Sequence, residues 1–134
     1  MAPPLPWRAT TAVDPEGIYI VTMTRLPLRR HTRIPQVMRA TWQIVRRLAR
    51  SDGLVGYSLK ADLIRKTFWT ISAWESTDSL HAFVRSDVHI KAMTDIGPHM
   101  NEPRIDTTVM PGTDLPPSWS QVRQRLTAPR PAPV

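Results

Sequence analysis

Phe68-Trp69-Thr70-Ile71-Ser72-Ala73-Trp74-Glu75-Ser76 reads as a β-strand with large apolar side chains on both faces. A strand with one face in water would alternate apolar and polar residues. Both faces of the sheet that holds it must therefore be covered. A short amphipathic segment follows at once: Thr77-Asp78-Ser79-Leu80-His81-Ala82-Phe83-Val84-Arg85-Ser86-Asp87-Val88-His89. Ser76 or Thr77 suits its N-cap, and Asp78 suits its first turn. Leu80, Phe83 and Val84 form its apolar stripe, and Asp87 breaks that stripe. A second helical piece runs from Val88 to Ile96 and closes at Gly97-Pro98.

Working outward, Leu54–Ala61 and Lys66–Trp74 flank a turn at Asp62–Arg65 and predict an antiparallel hairpin. Upstream, Ile34, Val37, Met38, Thr41, Ile44, Val45 and Leu48 recur at helical period and predict a helix over Ile34–Arg50. Pro35 sits at a tolerated first-turn position, and Gly53 suits a left-handed stop. Arg39, Gln43, Arg46, Arg47 and Arg50 fall on the opposite face. Gly17–Leu26 and Arg104–Met110 read as the first and last strands. In the first, Ile18 and Ile20 oppose Tyr19, Val21 and Met23. The order β-α-β-β-α-β is the ferredoxin-like split βαβ pattern, an α+β fold with a four-stranded antiparallel sheet. Two helices cover one face. The other face, apolar and bare in a monomer, predicts a homodimer packed sheet on sheet.

The chain has 134 residues, 14 of them proline, and the prolines crowd both ends. Proline lacks the donor that a sheet or helix interior needs. The expected organisation is an N-terminal arm over 1–15, one domain over 16–111 and a C-terminal tail over 112–134. Trp119–Leu126 is the one stretch of that tail suited to a short helix, expected to dock on a partner subunit. With no cysteine, disulfides, thiolate nucleophiles and Cys-ligated metal centres are excluded. No apolar run reaches membrane-spanning length, and the N-terminus lacks a signal-peptide core, so a cytoplasmic protein is expected. The net charge of +7 comes without helix-turn-helix, zinc-finger or RNP-type spacing. It is expected to be a solvated arginine face rather than a nucleic-acid surface. No phosphate loop, dinucleotide fingerprint or nucleophile elbow is present.

Trp74-Glu75-Ser76 closing the third strand, and Leu80-x-x-Phe83-Val84-x-Ser86-x-x-His89 after it, resemble the antibiotic biosynthesis monooxygenase superfamily of dimeric α/β barrels over residues 16–111. The resemblance implies an oxidoreductase that works without bound flavin or metal on a small apolar or aromatic, polyketide-like molecule held between sheet and helices. Cyclases, isomerases and dehydratases share the fold, as do haem-degrading enzymes, and fold alone does not choose among them. In the haem-degrading branch, the matching positions carry a pocket tryptophan and an iron-ligating histidine. Here they are Phe83 and Met93, and the strand-1 asparagine of that branch has no counterpart. Haem remains only as an alternative cofactor, with His89 as a non-standard axial ligand.

His89 is the candidate general base, because imidazole titrates near neutrality. Trp74 is the candidate orienting donor through its indole N–H. Tyr57, Phe83, Met93, Trp69 and Met38 are the candidate substrate-binding walls. His81, spaced eight residues from His89, gives too sparse a set for a metal site, and none is expected. His99 reads as a loop residue. Arg29, Arg30 and Arg33 could hold an anionic group, but solvation is the expected state.

Overall fold

A computed structural model describes residues 5–10 and 12–127. It contains a five-stranded antiparallel sheet in the order β1-β3-β4-β2-β5, built from β1 (Leu5–Ala9), β2 (Ile18–Pro27), β3 (Leu54–Asp62), β4 (Thr67–Trp74) and β5 (Arg104–Pro111). The helices are α1 (Ile34–Leu48), α2 (Thr77–Val84), α3 (Asp87–Ile96) and α4 (Trp119–Thr127). The four strands read from sequence form the ferredoxin-like part. The fifth, β1, lies in the segment expected to be an arm outside the sheet. It is an edge strand paired only with β3, and its register is irregular between Leu5 and Arg8. An edge tolerates proline because one side of the strand needs no ladder bonds. Gly56 makes the join possible: a Cβ there would lie 2.3 Å from the Trp7 ring.

The register assigns the faces. Ile20 pairs with Trp74, Thr22 with Ser72, Thr24 with Thr70 and Leu26 with Phe68, and all of these point toward α1–α3. The alternate residues Tyr19, Val21, Met23, Ile71 and Ala73 point the other way. That second face is not bare. Val122 and Leu126 of α4, both fully buried, pack into one cluster with Tyr19, Val21, Met23, Val55, Ile71 and Ala73. Trp7, Trp69, Met110 and Trp119 surround it. The helix at Trp119–Thr127 thus forms as expected, yet it docks on its own sheet rather than on a partner. The face whose apolar side chains led to the expectation of a sheet-on-sheet homodimer is covered within the single chain by α4. Arg125 also reaches Asp106 of β5 at 2.8 Å. That pair is partly exposed and contributes about 0–1 kcal/mol, so apolar burial holds α4 in place.

On the other face the core splits in two. Val37, Ala40, Phe68, Ala92, Ile96 and Met100 fill one end. Val45, Leu48, Tyr57, Trp74, Leu80 and Phe83 fill the other. Ile44 packs against both. Helix α1 follows the predicted stripe except at Met38, which is 41% exposed while Ala40 is buried. Met38 lies about 100° around the helix from Val37, at the rim of the buried arc. Helices α2 and α3 separate where Ser86 caps α3, accepting from the His89 backbone N–H at 3.4 Å.

Leu126→Ala should lower the unfolding free energy by about 2–5 kcal/mol, read by urea titration. Gly53, at φ +79°, leaves a Cβ only 2.2 Å from Ser79 Oγ. Gly53→Ala should therefore cost at least about 1–2 kcal/mol from the backbone alone.

Candidate active site

The strand period sorts the candidate residues. Trp74 and Tyr57 share the helix-facing side of the sheet and one apolar cluster with Phe83. The Trp74 and Phe83 rings are tilted at 33°, with centroids 5.4 Å apart. Phe83 in turn meets His89 edge-on, at 5.2 Å and 64°. Phe83 therefore bridges the proposed base and the proposed orienting donor. Met93 packs against the neighbouring cluster at the other end of the helix layer.

Two predicted walls lie elsewhere. Trp69 stands an odd number of residues from Trp74 in one strand, so it points to the α4 face, where the Arg25 guanidinium lies 5.7 Å from its ring. Met38 faces solvent. Neither can line a site shared with Tyr57, Phe83 and Trp74.

Trp74 is fully buried, and its indole N–H donates to Ser72 Oγ at 2.9 Å. The ring thus anchors a hydroxyl. Ser72 belongs to a band of half-buried hydroxyls across the middle of this face, with Thr22, Thr24 and Thr70. Thr24 and Thr70 hydrogen-bond each other through their hydroxyls. Thr22 bonds Thr107 of β5 at 3.3 Å. The band falls between the two apolar clusters and continues to the β5 edge, where Ile105 is 69% and Val109 58% exposed. Its signal in the sequence is period-two: Thr22/Thr24 and Thr70/Ser72 alternate with apolar neighbours, on the same face as Trp74.

His89 sits in the first turn of α3 and is half-buried. Burial lowers its pKa below the ordinary 6.5, and a hydrogen bond to the Val84 carbonyl opposes that shift. Neutral imidazole prevails at pH 7, as a base requires. His81 is exposed on α2 and shares no continuous helix with His89. Among the described residues, no three His, Asp or Glu side chains converge on a metal-sized site. His99 lines a separate cavity of about 190 Å³ with Arg29, Arg30, Thr32 and Arg33. Among the described residues, no helix is long and apolar enough to cross a membrane.

No protein-family model matches the chain, and no curated protein matches it. Solved structures do resemble it. A conserved protein from Methanosarcina mazei superposes with a TM-score of 0.63 at 14% identity, over 69% of this chain and 93% of that one. A protein from Mycobacterium tuberculosis gives 0.59 at 13%, over 69% and 92%. An antibiotic biosynthesis monooxygenase gives 0.59 at 14%, over 68% and 95%. The chain therefore has the α+β fold of the antibiotic biosynthesis monooxygenases. At these identities the likeness establishes fold, and the reaction must be argued from the site.

The lowered pKa of His89 carries a stability signature. Between its folded pKa and 6.5, the unfolded chain binds a proton that the folded chain does not. Stability should be complete above the unfolded value and decline as pH falls through that window. Urea midpoints measured from about pH 7.5 to about pH 5 should show this slope, and His89→Gln should reduce it.

Proposed function

We propose that the chain is a monooxygenase-type enzyme acting, without bound flavin or metal, on a small, weakly acidic aromatic molecule of polyketide-like chemistry. The observation that carries this reading is His89: a half-buried imidazole whose pKa burial lowers, edge-on to Phe83 at 5.2 Å, in a fold shared with an antibiotic biosynthesis monooxygenase. The substrate would lie over the hydroxyl band, entering past the exposed apolar residues of β5. Phe83 and Met93 would flank it, with Tyr57 and Trp74 forming the end wall. Ser72, anchored by Trp74, would donate to a substrate oxygen.

The chemistry needs an acidified methylene. His89 removes one proton, and the carbanion passes an electron to O₂. The carbon radical and superoxide combine into a peroxide, which takes the proton back from His89. Removal of the second C–H proton then forms the C=O bond, breaks the O–O bond and releases water. One oxygen atom enters the product, the other leaves as water, and the substrate supplies all four electrons. The protein contributes proton transfer, orientation and water exclusion.

Oxygen uptake with anthrone-like substrates should be stoichiometric with product, with one labelled atom retained from ¹⁸O₂. His89→Gln should lower kcat by about 10²–10⁴-fold with an unchanged fold. For the native enzyme, kcat/KM should fall at acid pH through a pKa below 6.5. Turnover that persists without oxygen would instead assign a cyclase, isomerase or dehydratase. A Soret band on haem titration, lost in His89→Gln, would assign the imidazole to iron.

A further inference from the structure

The positive charge of this chain gathers where α1 and α3 lie side by side. Two contiguous depressions run between these helices and share Gln43 and Lys91. The larger, about 470 Å³, is lined by Gln43, Arg46, Arg47, Arg50, Val88 and Lys91. The smaller, about 290 Å³, adds Arg39, Gln36 and Asp95. Five cations thus line one groove with a single carboxylate at one end. Among the described residues, none of the five is ion-paired; the ion pairs of the chain lie at Asp62–Arg65 and Asp106–Arg125. Arg47 is half-buried and donates to Ser51 Oγ at 3.4 Å, and with no carboxylate neutralising the five cations, a concentrated positive field runs along the groove.

The shape and an aromatic neighbour select the ligand class. From Arg39 to Arg50 the cations extend ~16 Å along α1, enough to meet several charges of a linear polyanion. Two packed helices stand about 8–10 Å apart, so the furrow between them suits one strand better than a duplex. Trp42 is 61% exposed on the same helix, about one turn from both Arg39 and Arg46. An exposed indole flanked by guanidinium groups is a platform on which an unpaired base can stack. A solvated arginine face, the expectation from composition, does not by itself account for cations aligned along a shared groove with an exposed tryptophan on the same helix.

We propose that the α1/α3 groove binds single-stranded nucleic acid, with phosphates on Arg39, Arg46, Arg47, Arg50 and Lys91 and a base stacked on Trp42. This site is separate from the one assigned to His89 and stands or falls independently of it.

The test is fluorescence anisotropy of the full chain with a labelled oligothymidine of roughly twelve nucleotides. The same-length duplex and a poly-glutamate peptide serve as competitors. Affinity should fall about twenty- to fiftyfold between about 50 mM and about 200 mM salt, as for three or four neutralised phosphates. Arg46→Glu with Lys91→Glu should weaken binding at least about tenfold, with the urea midpoint unchanged. Trp42→Ala should weaken it at least about fivefold and abolish the quenching of tryptophan fluorescence on binding. Arg29→Glu with Arg33→Glu, in the separate cavity, should retain more of the affinity than the groove variant. The proposal is overturned if the oligonucleotide does not bind at the lower salt. It is equally overturned if binding survives the groove and Trp42 substitutions, or if the duplex or the acidic peptide competes better than the single strand.

Discussion

Burial of both faces of one sheet by a single short chain governs the rest of the structure. The helix-facing side is closed by α1, α2 and α3. The opposite side is closed by Val122 and Leu126 of α4, set into Tyr19, Val21, Met23, Val55, Ile71 and Ala73. Each fully buried aliphatic side chain contributes about 1.5–3 kcal/mol relative to water. Net stabilities of domains are only about 5–15 kcal/mol, so one short helix decides whether this sheet is dry. The ion pair to Asp106 helps orient α4, but the apolar contact is what closes the face.

With that face closed, the helix-facing side is free to hold something other than a continuous core. Its two apolar clusters leave a belt of hydroxyls between them. The belt is affordable because its members satisfy one another: Thr24 with Thr70, Thr22 with Thr107, Ser72 with Trp74. An unsatisfied buried hydroxyl would cost about 1–3 kcal/mol. The Ser86 cap starts α3 afresh after α2, and that break places His89 against Phe83 and the Val84 carbonyl. Backbone capping, strand parity and imidazole chemistry thus meet in one place.

Much of this was legible in the residues. The helical period of Ile34, Val37, Ile44, Val45 and Leu48 specified α1. The hairpin at Asp62–Arg65 and the break near Ser86 are local signals, and local signals survive folding. The placement of Trp69 was also legible, because period two alone sends it away from Trp74, although size and aromaticity argue for a pocket wall. Met38 was less so: a residue at the rim of a stripe is buried or exposed according to how far the neighbouring layer extends. The roles of β1 and α4 were not legible. Proline marks β1 as poor interior structure and flanks α4 on both sides, and what places them is tertiary: an open sheet edge beside Gly56, and an apolar face with room for one helix. Clusters of arginine read as solvated in sequence, because the groove that aligns them exists only once α1 and α3 pack together.

The most direct test is a methyl NOE experiment on the full chain, in uniformly labelled and mixed-isotope samples. Cross-peaks from Val122 and Leu126 to Val21 and Ile71 should appear in the uniform sample and vanish from the isotope-filtered spectrum of the mixture, as for a helix folded onto its own sheet. Cross-peaks that persist in the filtered spectrum, or that are missing from both, would contradict the account.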